Sequence, residues 1–172
     1  MTRMRHLATR FAGSLRARPL DAADDAFVRR TLRQEELACW ESLGRADRAE
    51  SVATARETLA ALGPDADPTW LAAALLHDVG KAQTGLGAVG RACATIAAGV
   101  AGHRRARAWP GRAGRYVNHD ELGARRLRQA GARPEAVAWA DAHHRRERWP
   151  ATGIPVAVCE VLAAADGETY LR

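Results

Sequence analysis

Residues 67–81 read DPTWLAAALLHDVGK. Asp67 offers an N-cap carboxylate, and Pro68 suits the first helical position because its missing N–H is not needed there. From Trp70 to Val79 the stretch is apolar nearly all round, which predicts a central buried helix stopped by Gly80. His77 and Asp78 close that apolar run. A carboxylate in such a place is costly to bury without a partner. Two readings follow for the pair: a metal ion satisfies both side chains, or a histidine sits on the helix dipole beside a hydrogen-bonded aspartate. Lys81 comes three residues later and is the single lysine in a chain whose other cations are all arginine.

The surrounding sequence supports an all-α protein. Its 172 residues fit one domain with a sizeable core. Hydrophobic residues make up 47% and aromatics only 5%. Alanine dominates the apolar set and favours helix, whereas the β-branched and aromatic residues of strands are sparse. The core should therefore be thin and close-packed, with Trp and Leu as its large members. The formal net charge of +6 suits anionic partners, although much of the arginine can be solvated surface. Cys39, Cys93 and Cys159 have no CxxC spacing and read as reduced thiols, so a cytoplasmic location is expected. No apolar run approaches the ~20 residues of a membrane span. No signal-peptide core follows Arg3, Arg5 and Arg10.

Helix signals recur along the chain. Met4, Leu7, Phe11 and Leu15 stand at helical spacing among arginines. They suit either an arm docked on its own domain or an amphipathic surface helix. Pro19 interrupts them, and Asp21 and Asp24 can cap a short helix holding Phe27, Val28 and Leu32. The organisation expected is an N-terminal helical arm, residues 1–34, on a domain of residues 35–172. Helices are expected over 34–43, 46–62 and 86–101, with a basic loop at 102–117. Asn118 should cap the next helix, with Glu121 in the capping-box position. Pro134 opens a helix reaching His144, and the last helix runs to Asp166.

The remaining polar candidates lie beside apolar faces. His119 shares a helix face with Gly123, Leu127 and Ala130. His143-His144 closes a helix whose inward residues are Val137, Trp139 and Ala140. Asp166 follows Val158 and Leu162 at intervals of four. Mixed imidazole and carboxylate ligands suit Zn, Mn or Fe.

The order HD, then H, then HH, then D on successive helices resembles the HD superfamily of metal-dependent phosphohydrolases, over roughly residues 35–170. LLHDVGK at 75–81 looks like its most specific motif. The additional His119 and His143-His144 are similar to the two-metal subset that includes HD-GYP phosphodiesterases. HHRRERWPATGIP (143–155) does not reproduce that subset's signature, so cyclic dinucleotide cleavage is not implied. The family's first histidine should stand in the DRAESVATA stretch (47–55), where this chain has Glu50. Either Glu50 ligates and shifts the site towards harder ions, or one metal position is weakened and activity is reduced or lost.

The resemblance implies an HD-domain helical bundle with one or two divalent metal ions, Mn, Fe or Zn, held by His77, Asp78, His119, His143, His144, Asp166 and Glu50. It implies hydrolysis of a small phosphate ester, such as a nucleotide, by metal-activated water. Asp78 would ligate and orient that water, and Lys81 would reach a phosphate oxygen as a point charge. A degenerate HD domain that binds metal or nucleotide as a regulatory module is the other reading. A homo-oligomer is compatible with either. Arg104, Arg105, Arg107, Arg112, Arg115, Arg145, Arg146 and Arg148 could steer an anionic substrate if their loops frame the site. Apart from Trp109, Tyr116 and Trp149 they lack the interleaved aromatics of single-strand binders, so a nucleic-acid substrate is not indicated.

Overall fold

The computed structural model describes residues 19–167; the expected contacts of Met4, Leu7, Phe11 and Leu15 lie outside the described residues. Within them the fold is helical, with no strand. Helix α1 (Ala22–Thr31) is capped by Asp21, whose carboxylate accepts from the Asp24 N–H at 2.9 Å. It is followed by α2 (Gln34–Glu41), α3 (Arg45–Leu62) and α4 (Pro68–Leu76). The Asp67 side chain caps α4 by accepting from the Thr69 N–H at 2.8 Å. A 3₁₀ turn, Val79–Gln83, leads to α5 (Ala88–Ala101), the single-turn α6 (His103–Ala106) and α7 (Gly111–Val117). The chain closes with α8 (His119–Ala130), α9 (Pro134–Ala142), a second 3₁₀ turn (Arg146–Ala151) and α10 (Val156–Ala165).

Helix α4 is the hub. Leu71 through Leu76 are all buried, and α4 packs against α3 and α9, with α1, α2 and α10 around it. Trp40, Trp139 and Trp149 are the largest fully buried side chains, joined by Leu75, Leu76, Leu127 and Leu162. Such a core suits an alanine-rich chain: small residues bring helices close, and a few large ones fill the gaps. Phe27, Val28 and Leu32 belong to the same core, so the described part of the N-terminal segment packs onto the bundle.

Three local expectations need correction. Helix α4 stops at Leu76 rather than running to Val79, so the HD pair sits in the turn that follows. Gly80 lies inside the 3₁₀ turn and has a different reason to be glycine. A Cβ there would come 1.9 Å from the His119 carbonyl oxygen and 2.6 Å from the Gly123 nitrogen. Only the absence of a side chain lets this turn rest directly on α8. Second, residues 102–117 are not a loop but form α6 and α7, separated by Trp109-Pro110 and flanked by Gly102 and Gly111 at positive φ. Third, the Asn118–Glu121 capping box does not form. Asn118 Nδ2 donates instead to the Arg107 and Gly114 carbonyls, and the Glu121 carboxylate is held by Arg107 and Arg145. No single helix among the described residues is long and apolar enough to cross a membrane.

Candidate metal centre

The helix ends around α4 deliver their imidazoles in one repeated way. His77 Nδ1 lies 2.8 Å from the Ala74 carbonyl oxygen, His119 Nδ1 2.7 Å from that of Tyr116, and His143 Nδ1 2.9 Å from that of Ala140. Each is the carbonyl three residues back. A carbonyl can only accept, so Nδ1 carries the proton on all three rings. The neutral imidazole therefore presents its lone pair at Nε2. Such carbonyl contacts fix both tautomer and ring orientation, as they do behind metal-ligating histidines.

Those Nε2 atoms converge on carboxylates. His77 Nε2 lies 3.2 Å from Asp78 Oδ2 and 3.2 Å from Asp166 Oδ1. His119 Nε2 lies 3.0 Å and His143 Nε2 3.9 Å from Asp78 Oδ1. His144 Nε2 stands 3.2 Å from His119 Nε2. Two groups result, each compact enough to hold an ion: His77, Asp78 and Asp166, and His119, His143 and His144. Asp78 stands between them, with Oδ2 towards the first and Oδ1 towards the second. His77 and His143 are 1% and 2% exposed, whereas His144 is exposed.

The electrostatics ask for positive charge. His77 Nε2 and Asp78 Oδ1 are sealed from solvent, and no hydrogen bond of normal geometry satisfies either. A lone pair facing a carboxylate oxygen at such distances is unfavourable unless a cation lies between them. Burial by itself would push the His77 pKa down, but the Asp78 and Asp166 carboxylates outweigh it and hold the pKa well above the usual histidine value. Burial, together with the neighbouring imidazoles of His144 and His77, holds His143 well below that value. Burial opposes ionisation of Asp78, yet Lys81 and His77 keep its pKa well below the usual carboxylate range. The mixed nitrogen and oxygen donors fit a divalent transition metal, which would replace the proton that His77 otherwise carries.

Lys81 lies one 3₁₀ turn beyond Asp78 and donates to Asp78 Oδ2. Burial would lower its pKa, but Asp78 first and then Glu50 raise it, so the ammonium is firmly charged. Glu50 is half-buried on α3, close enough to act on Lys81, and belongs to neither group of potential ligands. The arginines around the histidines are mostly paired with acids. Arg107 forms ion pairs with Asp120 and Glu121; Arg145 does so with Asp120, Glu121 and Asp141, Arg146 with Glu160, and Arg148 with Asp141.

A family model of the HD domain matches residues 45–170. The chain belongs to the HD-domain family. No curated protein and no solved structure matches it significantly. HD domains bind divalent metals and are typically metal-dependent phosphohydrolases. The helical bundle is the fold of that family, and the HD pair gives this domain the carboxylate at the centre of its donor groups.

Three supporting groups escaped the sequence reading. Asp120 is fully buried and accepts from Nη1 and Nη2 of Arg107, which ties the end of α6 to the first turn of α8 beside His119. Tyr116 stacks on His119 with ring centroids 5.7 Å apart, and its hydroxyl lies 3.4 Å from Thr95 Oγ1. Asp47 is buried and ion-paired with Arg91 of α5. Asp120 carried a usable signal, an acid next to His119 on the buried side of an amphipathic helix. Asp47 depends on helices meeting far apart in sequence, as does the Tyr116 contact with Thr95; the stacking of Tyr116 on His119 is local, an aromatic three residues before the histidine.

Proposed function

We propose that this HD domain is a metal-dependent phosphohydrolase acting on a small phosphate ester. His77, Asp78, His119, His143, His144 and Asp166 would hold one or two Mn, Fe or Zn ions. The observation that carries this reading is Asp78, whose two oxygens face two separate groups of lone-pair donors. A bound divalent ion supplies charge to a phosphoryl oxygen and lowers the pKa of water towards ~7. The chain's own groups do the rest. The i−3 carbonyls hold the imidazoles in one tautomer, Asp78 orients the attacking water, and Lys81 offers its ammonium to a phosphate oxygen as a point charge. His144 is the exposed member of its group and would be the first of them to meet an approaching ester.

Purified protein should carry transition metal and should hydrolyse a generic phosphomonoester or phosphodiester when Mn or Fe is supplied. Asp78→Ala should lose that activity. Protein that stays metal-free and inert after Mn or Fe is added would sink the proposal.

Glu50 supports a second reading, a domain that binds metal or nucleotide without turnover. It occupies the position where the family resemblance calls for a histidine, and its charge bears on Lys81 instead. Stoichiometric metal without hydrolysis, followed by gain of hydrolysis in Glu50→His, would favour that reading.

A further inference from the structure

Large apolar side chains left exposed among the described residues are Val89 (69%), Ile96 (62%), Val100 (86%) and Val156 (44%). Three of the four share α5, and exposed Cys93 stands between them. Residues 89, 93, 96 and 100 are spaced by four, three and four, so they form a single stripe along the helix. The opposite face is engaged: Ala94 and Ala98 are buried, Arg91 pairs with Asp47, and Thr95 meets Tyr116. Arg91 is also the only charged residue in α5.

The helix reads nearly the same in both directions. AVGRACATIAAGVA, reversed about the point between residues 94 and 95, pairs Ala88 with Ala101, Val89 with Val100, Gly90 with Gly99 and Ala92 with Ala97. The mismatched positions are Arg91 with Ala98, Ala94 with Thr95, and Cys93 with Ile96. The first two pairs lie on the engaged inner face. The third pair is outward and of similar apolar character. A twofold interface requires this self-complementarity, because residue i must accept residue j while j accepts i.

We propose that α5 docks antiparallel on α5 of a second copy of this chain, about a twofold axis passing between residues 94 and 95. Val89 then meets Val100 of the other copy, and Cys93 meets its Ile96. The glycines and alanines beside the stripe let the two helices approach closely. Antiparallel packing also sets opposite ends of the two helix dipoles together. Charge points to the same occupant. Each chain carries +6, so copies repel over most of their surface, and an uncharged face is where they can meet. The three large side chains expose on the order of 300 Å², comparable with the largest patch on a typical monomer. With its rim, the paired face reaches the lower end of specific interfaces, so dimerisation should be weak and concentration-dependent.

Sedimentation of the full chain should show a monomer–dimer equilibrium that Ile96→Glu weakens by about 100-fold, because it buries unpaired carboxylates at the centre of the pair. Helical content and Tm should not change, since residue 96 is exposed in one copy. Val100→Arg should act in the same direction and guards against a folding defect in the first variant. Oxidised Ile96→Cys should yield a covalent dimer through Cys93 of one copy and position 96 of the other. Cys39 and Cys159 are buried and should not compete. A chain monomeric at roughly 100 µM, where even a small interface should be populated, overturns the proposal. So does a dimer indifferent to both charge substitutions, or one that fails to cross-link through these positions. Dimerisation that appears only after residues 1–18 are removed would assign the face to that segment. Binding of the monomer to phosphatidylcholine vesicles, lost in Ile96→Glu, would assign it to a lipid surface. Either result overturns the proposal.

Discussion

Two buried polar clusters sit at opposite ends of α4, and they are built on opposite principles. At the first, Glu36 of α2 is fully buried and accepts from the backbone N–H and the Nε and Nη2 groups of Arg133, 97 residues away, and from the Arg33 N–H. Arg133 also donates from Nη1 to the Pro68 carbonyl and from Nη2 to the Thr31 carbonyl. Each Glu36 oxygen and each guanidinium nitrogen of Arg133 has a partner within the chain. At the second, around Asp78, imidazole lone pairs face carboxylate oxygens and buried polar atoms lack normal hydrogen bonds. A cluster that completes itself holds the fold. A cluster that leaves its lone pairs aimed at one another is shaped for a cation.

The contrast is broken most sharply by removing the central acid of each cluster. Asp78→Ala should lower metal-dependent hydrolysis at least ~1,000-fold, about 4 kcal/mol in transition-state terms, as read by kcat/KM at saturating metal. Glu36→Ala should do the reverse. It should cost about 3–5 kcal/mol in denaturant unfolding, because it strands a buried guanidinium, while the folded fraction keeps its metal and its turnover. Equal damage to both properties in both variants would mean that the two clusters do not differ in kind.

Metal addition sharpens the same comparison at a smaller scale. An ion that binds only the folded state at 100 times its Kd stabilises by about 2.7 kcal/mol. Thermal melts with and without chelator should show that shift in the parent protein and in Glu36→Gln, and not in Asp78→Ala.

These clusters were unequally legible in the sequence. His77, Asp78, His119, His143, His144 and Asp166 could be chosen as candidates because each is of a metal-ligating type and stands near a helix end beside an apolar face, where burial of an unpartnered polar group is conspicuous. The structure brings all six together. Nothing in the local sequence singles out Glu36 or Arg133, since their pairing spans 97 residues. The helical fold followed from alanine content and capping signals, and Asp67-Pro68 marked the start of α4 correctly. Its end was misplaced because apolar character continues through Val79, while hydrogen bonding changes to a 3₁₀ turn after Leu76. Helices α6 and α7 were missed because arginines and glycines masked any apolar period.

The reason for that turn can itself be tested. Gly80→Ala places a methyl group 1.9 Å from the His119 carbonyl oxygen, so the turn and α8 must separate. Overpacking of this kind costs about 1–3 kcal/mol. The damage should fall on metal affinity more than on the Glu36 side, because Asp78 and His119 are the groups moved apart. Calorimetric metal titration beside denaturant unfolding would measure both.

The smallest expected effect is a pH slope. Burial would raise the Glu36 pKa, but hydrogen bonds from Arg133 and from the Arg33 N–H outweigh it and hold it below the ordinary 4.5. A carboxylate with a depressed folded-state pKa contributes stability above its unfolded value of ~4.3 and loses it as pH falls through the folded value. The contribution is therefore intact at neutral pH and disappears only in acid, below about 4. Unfolding free energy of the metal-free protein should accordingly fall with acidification in that window. Glu36→Gln, which cannot titrate, should show a shallower slope there and a constant deficit at pH 7. Parallel slopes for the two proteins would mean that Arg133 does not hold this carboxylate as an ion pair, and the self-completing side of the comparison would fail.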